Sequence, residues 1–389
     1  MRKVALVGAG VSKFGVRRAS YRDLIWEAGK ACFDSIPGVK PKDIEGLVVG
    51  SVMPERTAFQ SHISSMAAEA LGIRPSALSA RTEHMCASGT VGIRYAYAFI
   101  AAGLADLVMV LGVEKLNQPS GDEAILNMGT GVDREWEAAF GLTAPPCFAL
   151  AAQRHMAAYG TTEEQLALVG VKNHTHASKN PNAHFNKGAT LDQVLGSRMI
   201  ASPLRLFMCS PITDGAAAVI VASEDRARAL TDRPVWIRGS GQALDGFQLT
   251  SLHEDYAHWP AMQRAAASAY KAAGVGARDV DVAEVHDCFS IAELIAYEEL
   301  GFCAKGEAGP FVAAGRSDYG GDVVVNPRGG LIGCGHPLGA TGVAQAAEIF
   351  VQLRGEAGAR QVPDAETGLT HNNSGMGEHI VVIYGKDPA

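Results

Sequence analysis

An α/β protein assembled from two similar halves is the architecture this sequence predicts, on three observations. Apolar, β-rich runs alternate with alanine-rich stretches of helical period, a polar segment interrupts that alternation, and the pattern then starts again near residue 231. Such alternation predicts a mostly parallel sheet covered by helices on both faces.

The chain opens with "MRKVALVGAGVSKFG". A basic start and a short apolar run imitate a signal peptide, but the glycines and the missing small-residue cleavage pattern favour a first strand and turn. A helix near 20–35, the strand "GLVVG", a helix near 60–72, a helix from 87 and the strand "LVMVLGVE" follow. The most membrane-like stretch is "YAYAFIAAGLADLVMVLGV", 95–113; Asp106, just after "GLA", divides it into helix, turn and buried strand, so no membrane span is expected. Residues 116–202 break the rhythm with "NQPSGDE", "TAPPCF" and "NHTHASKNPNAHFNKG", and are expected to form an inserted loop domain. "DGAAAVIVASEDRARAL", 214–230, returns to a core strand and closes the first half, 1–230.

The second half, 231–389, repeats the first. "PVWIRGSGQALDG" echoes "KVALVGAGVSKFG", and "GVGARDVDVAEVHD" from Gly274 aligns with "GVKPKDIEGLVVGS" from Gly38, 236 positions earlier. "GHPLGATGVAQAAEIFVQL" echoes "CASGTVGIRYAYAFIAAG". Three echoes in one order predict a duplicated unit whose halves share a cleft.

Composition narrows the function. The 389 residues carry a net charge of −7 with no long basic run, which gives no sign of a nucleic-acid partner. Seven scattered cysteines without a CxxC pair predict free thiols in a reducing cytoplasm.

Four cysteine- or histidine-bearing motifs carry chemistry. "HMCASGTVG" sets Cys86 just before a helix, where unpaired N–H groups and the helix dipole are expected to lower a thiol's pKa. A lone cysteine there is also explained as a small buried residue. "NPRGGLIGCGHPLGATG" holds His336 in a glycine-rich turn that opens another helix, with a bare approach for a thiol to be deprotonated; the missing Lys-Ser/Thr excludes a P-loop. "EVHDCFS" adds His286 and Cys288 at a strand end, and "LTHNNSGMGEHIVVIY" reads as a polar turn before a final strand, with backbone N–H groups suited to an oxyanion.

"CASG", "HDCF" and "GHPLGATG", in this order, with "SPITDGAAAVIVAS", resemble the thiolase family, closest to its sterol-carrier-protein-X-type branch and its archaeal acetoacetyl-CoA members. The resemblance spans essentially the whole chain. It implies a five-layer α-β-α-β-α arrangement of two halves with a loop domain inserted in the first. It also implies that Cys86 is the acylated nucleophile and His336 the base that deprotonates it and then helps hold the thioester oxygen. Where many members carry Asn-Glu-Ala-Phe, His286 takes the place of the Asn and would donate directly to an oxyanion. The Cys86 N–H and one from the 372–375 turn, around Asn373 and Gly375, would make a second oxyanion hole, and Ser210 would line the pantetheine channel. One departure matters: "HNNSGMG" lacks the second catalytic cysteine that many members carry there. The branch resemblance assigns that acid/base role to Cys288.

The expected reaction is reversible Claisen condensation of two acetyl-CoA, or thiolysis of a 3-ketoacyl-CoA, with CoA thioesters as substrates and no further cofactor. Rival readings are a related condensing enzyme, a retro-aldolase on CoA thioesters, and a non-catalytic acyl-CoA-binding subunit. Kinship further implies a homodimer or homotetramer and partnership with hydroxymethylglutaryl-CoA synthase and a small OB-fold/zinc-ribbon protein; because the sequence stops soon after its last expected strand, no fused sterol-carrier domain is expected. Cys32, Cys147, Cys209, Cys303 and Cys334 read as packing residues. His174, His176 and His184 lack carboxylate or thiol partners in sequence and read as solvated or loop-packing rather than metal-binding. "GAGVSKFG" has the wrong spacing for a dinucleotide fingerprint.

Overall fold

The computed structural model describes residues 2–117, 121–247 and 255–388, so part of "NQPSGDE" lies outside the described residues. Ten strands form one sheet system: β1 Val4–Val11, β2 Gly46–Gly50, β3 Leu78–Thr82, β4 Leu107–Glu114, β7 Gly215–Ser223, β8 Val235–Leu244, β9 Val282–Glu284, β10 Val324–Val325, β11 Thr367–Ser374 and β12 Glu378–Gly385. Met199–Ala201 (β5) and Leu204–Arg205 (β6) make a separate hairpin.

The two halves have the same strand order, β1-β7-β4-β2-β3 and β8-β12-β11-β9-β10. They meet where β1 pairs with β8, Ala5 opposite Trp236 and Leu6 opposite Val235. The sequence repeat is visible in detail. The 3₁₀ turns Pro41–Asp43 and Ala277–Asp279 occupy matching places, 236 positions apart. In each, a carboxylate accepts the backbone N–H three residues earlier: Asp43 from Lys40 at 2.8 Å, Asp279 from Gly276 at 2.7 Å. β2 and β9 then begin at the same offset.

The sheet is mixed, not mostly parallel as expected. β2 runs parallel to β3 and β4, and β9 parallel to β10 and β11, because helices return the chain between those strands. β11 turns straight back into β12, and β4 reaches β7 only through the long excursion, so both of those pairs are antiparallel.

Helices Ser88–Ala101 and Leu338–Leu353 form the middle layer between the two five-stranded halves of this sheet, sharing one apolar core with both. Helices Tyr21–Asp34 and Ile63–Leu71 cover the outer face of the first half, and Pro260–Ala273 and Ser290–Glu299 that of the second. The result is the five-layer α-β-α-β-α arrangement. The middle helices approach so closely that a Cβ on Gly342 would sit 2.0 Å from the Thr90 hydroxyl oxygen. This brings the starts of both helices, and the turns leading into them, to one place.

Between β4 and β7 the chain makes helices Gly121–Met128, Ala144–Tyr159, Glu163–Ala177 and Leu191–Leu195. Glu163–Ala177 begins with a reciprocal cap: Thr162 Oγ1 accepts the Gln165 N–H at 3.2 Å while Gln165 Oε1 accepts that of Thr162 at 3.0 Å. Phe148, Leu166, Val169 and Met208 of this excursion share a core with Ile291, Leu294 and Ile332 of the second half. The excursion therefore packs across the second half's loops.

Candidate active site

Cys86 lies in the 3₁₀ turn Met85–Ala87 that feeds the helix Ser88–Ala101. Three bonds hold the turn. Ser88 Oγ accepts the His84 N–H at 2.8 Å and donates to the Met85 carbonyl at 2.6 Å, and Glu83 accepts the Met85 N–H at 2.8 Å. They hold Met85 at φ 43°, a left-handed conformation that turns the half-buried Cys86 toward the cleft. The expected lowering of its pKa is overturned. Burial, then the negative charges of Glu114 and Glu83, push the thiol up to about 12. At rest Cys86 is a thiol and needs a base.

His336 follows Gly335, whose φ of 104° and close approach to Thr213 (2.7 Å from an added Cβ) both require glycine. The Thr341 hydroxyl donates to the Pro337 carbonyl at 3.2 Å and lies 2.7 Å from His336 Nδ1. That hydroxyl therefore accepts the Nδ1–H, leaving the lone pair on Nε2. Burial, helped by the positive charge of Arg328, lowers the imidazole to about 3, so at rest it is neutral. Among the described residues, Nε2 has no hydrogen-bond partner.

His286 stands edge-on to His336, with ring centroids 5.0 Å apart at 83°. Its Nδ1 is 3.0 Å from the Asn372 amide nitrogen, and its Nε2 has no partner among the described residues. Cys86 Sγ and one ring nitrogen from each histidine all lie within 4.8 Å of one another. Cys288 is buried beside them. Its thiol is held well above the ordinary value by burial, then by the charges of Cys86 and Asp287.

Ser210 donates its backbone N–H to the Cys288 carbonyl at 2.9 Å, and Ile212 bridges to His336, so the 210–212 segment crosses both loops. The "LTHNNSGMGEHIVVIY" segment is a hairpin rather than a turn before one strand. Asn373 is buried in β11, and only Gly375–Gly377 turn, Gly375 with φ 62°. β11 packs against the Met85–Ala87 turn.

Sequence reasoning missed the residues that hold these groups. Asp287 accepts the N–H groups of Leu331 (2.6 Å) and Ile332 (3.2 Å) and the Asn173 amide (2.6 Å). Glu114 accepts those of Val52 (2.7 Å) and Gly339 (3.1 Å), tying β4 to the His336 turn. Asn372 and Gln345 back His286. The positions of Asp287 and Asn372 inside quoted motifs were the only available signal.

The remaining candidates pack. His174 lies between Phe185 and Phe207; His176 bonds to the Asn326 carbonyl (3.0 Å) and Asp318 (2.8 Å); His184 bonds to Thr213 (2.9 Å). They face different partners, and His174 and His176 are buried rather than solvated. Cys334 sits under the turn, its sulfur accepting from Arg328 at 3.3 Å. A Cβ at Gly10 would lie 2.2 Å from the Cys32 nitrogen, so this glycine lets β1 press against the helix Tyr21–Asp34.

Residues 4–225 match the family described as thiolase, N-terminal domain, and residues 241–386 the thiolase C-terminal domain-like family. The acetyl-CoA acetyltransferase of Methanothermobacter thermautotrophicus is 46% identical over 97% of this chain and 97% of its own. Sterol carrier protein 2 of Bos taurus is 37% identical over 98% of this chain and 72% of its own. Among solved structures, a chain of the Ltp2-ChsH2(DUF35) aldolase superposes with TM-score 0.85 at 29% identity, covering 99% of this chain and 98% of that one. Human mitochondrial 3-ketoacyl-CoA thiolase shares the fold, with TM-score 0.76 at 19% identity over 99% of both chains. With both halves matched by the family and the relatives aligned nearly end to end, the chain belongs to the thiolase family.

Proposed function

We propose that the protein is an acetyl-CoA C-acetyltransferase, joining two acetyl-CoA into acetoacetyl-CoA or running the reverse thiolysis through an acyl-Cys86 intermediate. The observation that carries this is the convergence of the Cys86 thiol with ring nitrogens of two histidines, both of whose Nε2 atoms lack a partner among the described residues. The identity with acetyl-CoA acetyltransferases adds support.

His336 Nε2 takes the Cys86 proton, and the thiolate attacks the acetyl carbonyl. The CoA thiolate leaves and takes the Cys288 proton, giving free CoA, acetyl-Cys86, a Cys288 thiolate and a protonated His336. Cys288 then removes a methyl proton from a second acetyl-CoA. The enolate oxygen is held by the Nε2–H groups of His286 and His336. The enolate carbon attacks acetyl-Cys86, whose tetrahedral oxygen is held by backbone N–H groups of Cys86 and the Gly375 turn, with Asn373 beside it. Cys86 leaves as thiolate and recovers its proton from His336, which restores the starting state. Coenzyme A thioesters enter as substrates, and no resident cofactor or metal takes part.

A cavity of about 620 Å³ lined by Lys187, Arg198, His174, Phe185 and Phe207 is the place we assign to the nucleotide end of CoA. Its cations suit phosphates and its aromatic rings suit adenine. His184 of the cavity bonds to Thr213, one residue beyond Ile212 on His336, and Ser210 is two residues before Ile212. The same reading includes a homo-oligomer in the cytoplasm. It includes association with hydroxymethylglutaryl-CoA synthase and a small OB-fold/zinc-ribbon protein, for which the Ltp2-ChsH2(DUF35) assembly is a parallel. Among the described residues no helix is long and apolar enough to cross a membrane.

The aldolase neighbour keeps a second reading in play, carbon–carbon cleavage without an acyl-enzyme. Incubation with acetyl-CoA alone separates the two. Acetoacetyl-CoA and free CoA support the acetyltransferase; the absence of both, with cleavage of a 3-hydroxyacyl thioester, supports the aldolase.

A further inference from the structure

Behind His286 lies a chain of amide groups whose orientation is fixed from one end. Gln345 points its side-chain nitrogen at two backbone carbonyls, that of Glu284 at 3.4 Å and that of His371 at 3.2 Å. Carbonyls only accept, so that end of Gln345 is the NH₂ group and its oxygen must face Asn372. An oxygen there can be met only by the Asn372 amide nitrogen, at 2.9 Å. The same nitrogen lies 3.0 Å from His286 Nδ1. Facing a donor, Nδ1 can only accept, so the ring proton resides on Nε2. A proton on both nitrogens would oppose the Asn372 NH₂, so the charged imidazolium is excluded as well. The backbone N–H of His286 is anchored separately, on His371 Nδ1 at 3.4 Å. All four side chains are fully buried or nearly so, which leaves water little part in the arrangement.

We infer that Gln345 and Asn372 are positioning residues that hold His286 in its Nε2–H form, aimed as a hydrogen-bond donor into the Cys86–His336 cleft. The arrangement also bears on metals. Cys86 Sγ and the two imidazoles have the spacing of three ligands to a thiophilic divalent cation. Metal-binding histidines normally donate their far N–H to a carboxylate or carbonyl, which frees the near nitrogen for the metal. His286 has the opposite partner. The Asn372 donor keeps a proton on the nitrogen that a metal would need, so the same contact supplies an oxyanion donor and withholds a ligand.

The catalytic consequence rests on the thiolase reading; the tautomer and the metal effect do not. Asn372→Asp replaces the donor with an acceptor and should move the proton to Nδ1. Gln345→Met removes only the latch, so Asn372 is free to turn and both tautomers should be populated. Histidine-selective ¹⁵N NMR of the full chain, assigned with His286→Gln, should show Nε2 protonated in the parent, Nδ1 protonated in Asn372→Asp and a mixture in Gln345→Met. The turnover number for acetoacetyl-CoA thiolysis should fall about 100-fold in Asn372→Asp with KM changed by less than about 2-fold. Titration with Zn²⁺ alone should show binding at least about tenfold tighter in Asn372→Asp, lost again on adding Cys86→Ala. A protonated Nε2 in folded Asn372→Asp, or a single Nε2–H form in folded Gln345→Met, would overturn the inference. The expected tautomers in a chain that acetyl-CoA fails to acylate at Cys86 would refute the acetyltransferase and leave the positioning role supported.

Discussion

Asp287 accepts the backbone N–H of Leu331 at 2.6 Å, and through it the loop that bears Cys288 holds the loop that bears His336. The contact is made at the first turn of the helix Gly330–Cys334, where N–H groups lack intrahelical partners. A Cβ on Gly330 would sit 2.2 Å from the carboxylate, so glycine is required for the loop to close on it. Asp287→Ala strands the N–H groups of Leu331 and Ile332 in a buried place and leaves the Asn173 amide only its bond to Glu293 (2.6 Å), and should cost about 3 kcal/mol of stability. Asp287→Asn, which keeps an acceptor for one of them, should cost less. Urea denaturation measures both, and equal stability of parent and Asp287→Ala would remove the tie from the account.

The helix Leu338–Leu353 crosses β2 and β4 with backbone rather than side chains in contact. A Cβ on Gly339 would lie 2.5 Å from the Gly50 carbonyl oxygen, and one on Gly112 2.3 Å from that of Gly339. Gly339→Ala therefore has to separate the His336 turn from β2, at about 1–3 kcal/mol. Acylation of Cys86 should slow along with the loss of melting temperature. An alanine variant of unchanged stability and rate would show that the crossing is looser than these distances require.

Cys86 at rest is a thiol, because burial and two nearby carboxylates outweigh the start of the helix. Its alkylation by iodoacetamide in the absence of substrate should be slow near neutrality and rise about tenfold per pH unit through the alkaline range. A plateau below pH 8 would mean a preformed thiolate. His336→Ala should lower the rate of acylation by acetyl-CoA by about 100-fold or more, since of the two imidazoles beside Cys86 it is His336 whose Nε2 carries the lone pair.

His336 also couples stability to pH. Its imidazole falls from 6.5 to about 3 on burial, so between those values the unfolded chain binds the extra proton. The stability tied to neutral His336 is complete above 6.5 and is lost as pH falls toward 3. Glu114 and Glu284 act in the opposite sense. Burial raises both from 4.5 to about 7, and their contribution is lost as pH rises through that range. The difference between parent and His336→Gln isolates the histidine: the variant should lose less stability than the parent as pH drops from 7 to 4. Parallel pH profiles would contradict the buried neutral imidazole.

Much of this was legible in the sequence, for identifiable reasons. β1, β2 and β4 are continuous apolar runs because both of their faces are covered, and the duplication survives as matching glycines and acidic caps around Pro41–Asp43 and Ala277–Asp279. Cys86, His286, Cys288 and His336 stood out because reactive side chains sit beside glycines or strand ends. β11 was misread as a turn because "THNNS" is polar. Its polar side chains are buried against other polar groups, Asn372 on Gln345 and His286, and periodicity cannot reveal such pairing. The Cys86 pKa was misjudged because its burial, the largest cause, arises only in the fold, as does the approach of Glu114, 28 positions away in sequence.

The central claim is a division of labour, with Cys86 carrying the acyl group and Cys288 moving the α-carbon proton. Intact-protein mass spectrometry of Cys288→Ala after incubation with acetyl-CoA tests it most directly, with Cys86→Ala as the unlabelled control. The account predicts one acetyl group on Cys86 of Cys288→Ala, together with loss of acetoacetyl-CoA formation. Acetoacetyl-CoA formation at the parent's rate by Cys288→Ala, or acetylation of Cys86→Ala, would contradict it.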